Sequence, residues 1–302
     1  MAKVFISYAH GEQWWVLDRL VPVLEAGGAG IIIDVRQFHA GRSVAGQMDH
    51  WQDQADRQLL VISANALASG PCRHEMQRAI GRDPDFTGGV VVPIRRDDTP
   101  LPSRLTAPLF VDLRDDRVAG PWDALLAACD ARLGVPAPHW LEKRDRIVRL
   151  LNDRRSVNLV VGAGVPWQPL VRHLGTLDGL ALAEIDLESW GVASRPALLQ
   201  TVLHGLGSRR ALPDRPHDLL EFGREIEARP FSRIALVHFD MVGHHSDYSQ
   251  DVELFAALRH LINTQRKLAL LVQSRAPFQS LLPRTHPLSE IDMTTVTLSA
   301  TP

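Results

Sequence analysis

The sequence predicts an α/β protein with two parallel-sheet halves, and three observations predict it. Short apolar runs alternate with helical patterns from the N-terminus onward, the order that lays strands in parallel with helices on both faces. Runs such as Ile31-Ile32-Ile33 are unbroken rather than alternating, which suits strands covered on both sides. At Gly134-Val135-Pro136-Ala137-Pro138 the series stops and a second of the same kind begins; two close prolines stiffen a chain and break helix. The expected organisation is a domain over 1–133, a linker over 134–139 and a second α/β domain over 140–302.

Each element has its own signal. Val4-Phe5-Ile6-Ser7-Tyr8 reads as the first strand. Leu17, Leu20, Val21 and Leu24 then repeat at helical spacing, and Gly27-Gly28-Ala29-Gly30 ends that helix, since glycine accepts the left-handed cap. Strand 31–33 follows. The spacing predicts a helix over 44–56, a strand over 58–63, a helix over 71–80 and strands over 89–94 and 109–113. Trp122, Leu125, Leu126, Cys129 and Leu133 share one face of a closing helix. In the second half a polar helix is expected over 141–152 and buried strands over 158–161, 180–185, 233–239 and 267–272. Leu254, Phe255, Leu258, Leu261 and Ile262 give segment 252–262 an apolar stripe.

Composition excludes several classes. A formal net charge of -2 gives no bulk attraction for nucleic acid. Two cysteines, Cys72 and Cys129, make no disulfide framework and suit a reducing compartment. No apolar run approaches the ~20 residues of a spanning helix, and the strand-like N-terminus has no apolar signal core. The expected location is the cytoplasm, without a membrane partner.

Three separated stretches then carry a family resemblance: Phe5-Ile6-Ser7-Tyr8, the segment from Asp34 to Ser43 after the second strand, and Glu75 early in the helix after the third. In this order and spacing they resemble the Toll/interleukin-receptor (TIR) domain, over roughly the first 133 residues. The resemblance implies a flavodoxin-like parallel sheet. Many prokaryotic members cleave NAD+ with that glutamate, so it implies Glu75 as the catalytic residue. It places Phe5, Tyr8, Asp34, Arg36, Phe38, Ser43 and Cys72 beside the substrate. NAD+ is then substrate rather than cofactor, no metal is needed, and the products are nicotinamide with ADP-ribose or its cyclic form. Self-association through TIR domains, a TIR or sensor partner, and a role in anti-phage defence are implied by the family as well. The alternative is a non-enzymatic TIR adaptor that uses the 34–43 loop for homotypic binding.

The chemistry suits one carboxylate. The nicotinamide ring nitrogen of NAD+ is already positive, so the leaving group departs neutral and needs no acid. Most glycosidases need two carboxylates because an alkoxide must be protonated. A capping role explains Glu75 poorly, because a capping box wants the acid three residues after the cap, where Cys72 or Arg73 stands. Arg36 and Arg42 match the fork that grips pyrophosphate, while Phe38 and Trp51 offer rings for stacking.

In the second half, Leu159-Val160-Val161 leads into Gly162-Ala163-Gly164, and Ile234 to Asp240 reads as a strand ending in an acid. This is similar to a degenerate P-loop (STAND-like) domain. The Gly-Lys-Ser/Thr of a working phosphate loop is replaced by Trp167, Gln168 and Pro169, so ATP hydrolysis is not expected. His238, Asp240, His244, His245 and Asp247 form a rival candidate, a cation-binding cluster.

Overall fold

The structure is a computed structural model and describes residues 1–33, 44–180, 182–245 and 247–300. The chain divides into two compact units, Met1–Leu141 and Glu142–Ala300, each built on one five-stranded, wholly parallel sheet.

The first sheet comprises β1 (Lys3–Ser7), β2 (Gly30–Ile32), β3 (Arg57–Ile62), β4 (Val91–Arg95) and β5 (Val111–Asp112), in spatial order β2-β1-β3-β4-β5. That order reverses direction between β1 and β3. In open α/β sheets such a switch point opens a crevice beyond the carboxyl ends of the strands, where ligands bind. Register pairs Phe5 with Gln58 and Ser7 with Leu60. The last residues of β1 therefore stand at this crevice.

The helical patterns form helices, with shifted ends. The first runs over 13–26 and contains a π-helical stretch, Val16–Leu20, just before Pro22; widened turns absorb such breaks in the backbone ladder. Helix Val44–Asp53 stops short of the expected 56. The closing helix ends at Ala128, so Leu133 is buried from the following segment instead of the helix face. The chain reverses at Asp130, whose backbone is left-handed (φ 51), and Arg132 N–H then bonds Gly27 O at 2.8 Å. Helix Ala137–Asn152 begins four residues before 141. Pro138 falls in its first turn, where a missing N–H costs nothing.

The second sheet comprises β6 (Ser156–Val161), β7 (Leu182–Asp186), β8 (Ser232–Val237), β9 (Leu268–Ser274) and β10 (Met293–Leu298), in order β10-β6-β9-β8-β7. β10, an edge strand whose Thr295 and Thr297 are exposed while Val296 and Leu298 are buried, was not foreseen. β8 stops at Val237 and does not reach the acid at 240: His238 is left-handed (φ 53, ψ 43) and opens a 3-10 turn, Phe239–His244. Segment 252–262 is helical, as α-helix Val252–Arg259 and a π stretch His260–Thr264. Its stripe faces the apolar core of this unit.

One buried ion network crosses that core's rim. Arg195 Nε and Nη2 donate to the two oxygens of Asp218 at 2.9 and 2.7 Å, and Nη1 donates to Asp251 at 2.9 Å. Asp218 is fully buried. Removing one partner of such a pair strands a charge at a cost of ~3–5 kcal/mol. Arg195→Met is expected to destabilise the second unit by about that much, read as an earlier urea unfolding transition, while Arg195→Lys loses less.

Candidate active site

Helix Gly70–Arg82 carries the acidic residue that the sequence singled out. Ser69 caps it, its Oγ accepting from Cys72 N–H at 3.4 Å, and Pro71 fits the first turn. Cys72, Glu75, Met76, Ala79 and Ile80 form its buried stripe, with the i, i+3, i+4 spacing of a core-facing helix. Glu75 is thus a carboxylate at an apolar position, only 5% exposed. It lies in the second turn, beyond the main reach of the helix dipole.

Burying a carboxylate costs several kcal/mol unless it is hydrogen-bonded. Ser7, the last residue of β1, donates its hydroxyl to Glu75 Oε2. Behind it, Gln52 is 0% exposed. Its Nε2 donates to Glu75 backbone O at 2.8 Å and to Gln58 Oε1 at 2.6 Å. Arg78 Nε donates to Gln52 Oε1 at 3.2 Å, and Arg82 Nη1 to Gln52 O at 2.5 Å. Helices Val44–Asp53 and Gly70–Arg82 are therefore laced together and to β3 through Gln52 and the backbone of Glu75.

Above it lies a cavity of about 180 Å³, lined by Phe5, Tyr8, His10, Met48, Pro71, Cys72 and Glu75 among others. A complete small-molecule site usually offers ~300–1,000 Å³, so this space suits one end of an elongated ligand. Four of the eight residues that the sequence proposed, Phe5, Tyr8, Cys72 and Glu75, line this one cavity. Asp34, Arg36, Phe38 and Ser43, with Arg42, lie outside the described residues. Trp51 packs on Phe5, Ile32 and Ala55. Arg73 is tied to Leu67 O and Ala68 O, and His74 meets Asp49 at 3.2 Å on the surface. Sequence reasoning missed the Ser7–Glu75 bond and the Gln52 network. The signal for the second was two glutamines at positions that the strand and helix patterns bury. Cys129, the other thiol, is buried away from this cavity, and desolvation pushes it up to about 12, which leaves it unreactive.

The rival candidate in the second unit, a cation cluster, does not assemble. Asp240 accepts from Arg275 N–H, His245 Nε2 donates to Leu187 O at 2.7 Å, and Asp247 accepts from Arg195 N–H and Arg215. Among the described residues His238 alone of the five joins a possible ligand group. The early end of β8 is the reason: the left-handed turn at His238 sends the following residues in other directions.

Comparison with known proteins agrees with the first unit's architecture. Residues 4–126 match the family model for the TIR domain. Toll-like receptor 6 of Bos taurus and Toll-like receptor 1 of Homo sapiens are each 31% identical over 72 residues. That is 24% of this chain but only 9% of either receptor. Among solved structures, the TIR domain of the Toll-related receptor TRR-2 from Hydra magnipapillata is similar at 21% identity, covering 43% of this chain and 99% of that one, with a TM-score of 0.39. A chain of Drosophila ORC bound to DNA is similar at 15% identity, covering 54% of this chain and 91% of that one, with a TM-score of 0.40. The segment 4–126 is a TIR domain with a parallel α/β sheet, followed by a second α/β unit on its own parallel sheet. Among the described residues no helix is long and apolar enough to cross a membrane.

The glutamine beneath the acid carries a structural prediction. Gln52→Leu leaves Gln58, Arg78 and the Glu75 carbonyl short of partners and is expected to cost ~1–3 kcal/mol, seen as a lower midpoint in chemical denaturation.

Proposed function

We propose that the TIR domain cleaves the bond between nicotinamide and ribose in NAD+, with Glu75 as its catalytic residue. The observation that carries this reading is a buried carboxylate, held by Ser7, at the carboxyl-end switch point of the sheet and facing a cavity. The glycosidic C–N bond breaks with its electron pair going to the pyridinium nitrogen, so nicotinamide leaves neutral. Glu75 stabilises the positive charge that builds on the ribose. Water adds to the anomeric carbon and loses a proton, giving ADP-ribose; attack by an atom of the same substrate gives the cyclic product instead. Phe5, Tyr8 and Cys72 flank the nicotinamide end. Asp34, Arg36, Phe38 and Ser43 are proposed to meet the remainder of the dinucleotide. Activation by self-association, a cytoplasmic setting and a place in prokaryotic anti-phage defence belong to the same proposal. The second unit is proposed to be a degenerate P-loop domain acting as scaffold or sensor: the loop after β6 sits at that sheet's own switch point but holds no lysine.

A second reading has its own support. TIR domains mediate homotypic interaction, and Trp14 stands 66% exposed on the first helix with the Arg19 guanidinium 5.6 Å from its ring. A non-enzymatic adaptor would use such a surface and leave NAD+ intact.

Purified full-length protein at high concentration is to be incubated with NAD+ while nicotinamide release is followed. Glu75→Gln is expected to slow release by ~10²–10³-fold or more, and Ser7→Ala by ~10-fold, since one orienting hydrogen bond is lost. Release that is unchanged in Glu75→Gln overturns the assignment of this residue. A wild type that never consumes NAD+, even when clustered, favours the adaptor.

A further inference from the structure

We propose that the second unit binds a divalent transition-metal ion, of the zinc or manganese class, between Asp186, Glu188 and His238. Asp186 is the last residue of β7, and register pairs it with Val237 at the end of β8. His238 therefore directly follows the end of the neighbouring strand, and Glu188 lies two residues past Asp186. One carboxylate oxygen from each acid and one imidazole nitrogen all lie within 4.8 Å of one another. His238 Nδ1 is 2.8 Å from Asp186 Oδ1 and 3.8 Å from Glu188 Oε2. Donors around a tetrahedral ion at ~2.0–2.2 Å are themselves about 3.4 Å apart, a spacing inside this range. A ring nitrogen carries one proton, yet two carboxylates face it; a dication answers both.

The main chain that presents these groups is held firmly. His238 is left-handed, and its N–H donates to the buried Gln273 Oε1 at 2.8 Å. Leu187, between the two acids, is fixed at both ends: its N–H bonds Val237 O at 3.1 Å, and its carbonyl accepts from His245 Nε2. Glu188 N–H bonds Asp186 Oδ1 at 2.9 Å. The Trp167 ring packs edge-on against the His238 imidazole, with centroids 5.1 Å apart. Such supports around ligands orient them and tune the metal.

The donor set selects the ion. Imidazole with carboxylates suits zinc, manganese or iron, whereas magnesium and calcium favour all-oxygen shells. Three protein donors leave coordination positions for water or a ligand. Glu188 also borders a cavity of about 270 Å³ lined by Trp190, Met241, His244 and His245, so a small molecule on the metal has room beside it. This site is in the second unit and independent of Glu75.

The test uses the full chain, stripped by chelator and dialysed, then titrated calorimetrically with Zn²⁺ and with Mn²⁺, with Mg²⁺ as reference. One equivalent of Zn²⁺ or Mn²⁺ is expected to bind, far more tightly than Mg²⁺. Asp186→Asn, Glu188→Gln and His238→Asn are each expected to weaken it by at least ~10-fold; asparagine tolerates the left-handed backbone at 238. Glu142→Gln, at an exposed carboxylate elsewhere, is expected to change nothing. Circular dichroism checks that each variant is folded. Absence of a saturable equivalent in the wild type overturns the proposal, as does affinity unchanged in Asp186→Asn and His238→Asn; the three residues then form an ordinary surface cluster joined by the His238–Asp186 hydrogen bond.

Discussion

The burial of the Glu75 carboxylate at the ends of two parallel strands is the constraint around which the first unit is arranged. An acid at that depth is unfavourable in itself, because water solvates a carboxylate far better than an apolar helix face does. The surrounding residues answer it from two sides. Ser7 supplies a hydroxyl from β1, and Gln52 braces the backbone of the same residue from a neighbouring helix. Leucine here would fill the stripe of Cys72, Met76 and Ala79 without such provisions. Buried carboxylates with such provisions are candidates for functional sites, which is the ground of the proposal made for Glu75.

The topology explains why the acid stands in this place. With β1 and β3 adjacent and the chain leaving them in opposite directions, the sheet has its switch point at their carboxyl ends, where a crevice opens. The parallel order puts Ser7, Tyr8 and the start of helix Gly70–Arg82 on that edge together. The second unit repeats the architecture with different contents. Its switch point carries a glycine loop without a cation, and its acidic and imidazole groups sit instead at the ends of β7 and β8. The two units therefore share a construction and differ in the chemistry placed upon it.

Much of this was legible in the sequence. The unbroken apolar runs marked the buried parallel strands, and the family signatures singled out Glu75 on the helix after β3; that this helix turns the acid onto its buried stripe is a finding of the structure. Phe5, Tyr8, Cys72 and Glu75 converge on one cavity because the end of β1 and the start of helix Gly70–Arg82 meet at the same edge of one sheet. What stayed hidden depended on tertiary pairing. No local pattern joins Ser7 to Glu75 across 68 residues, or Asp186 to His238 across 52. The cation group shows the difference well. Closeness in sequence grouped His238 with Asp240, His244, His245 and Asp247, but a single left-handed residue redirected the chain, and the sheet register gave His238 different neighbours. Strand and helix ends were likewise misjudged where a cap or turn, as at Asp130, decides against the apolar periodicity.

The most direct test of the central claim is a crystal structure of the Glu75→Gln chain with NAD+ bound. The anomeric carbon of the nicotinamide ribose is expected within ~3–3.5 Å of the residue 75 side chain, with the nicotinamide between Phe5, Tyr8 and Cys72. A dinucleotide bound with that carbon far from residue 75, or lodged at another surface, would contradict it.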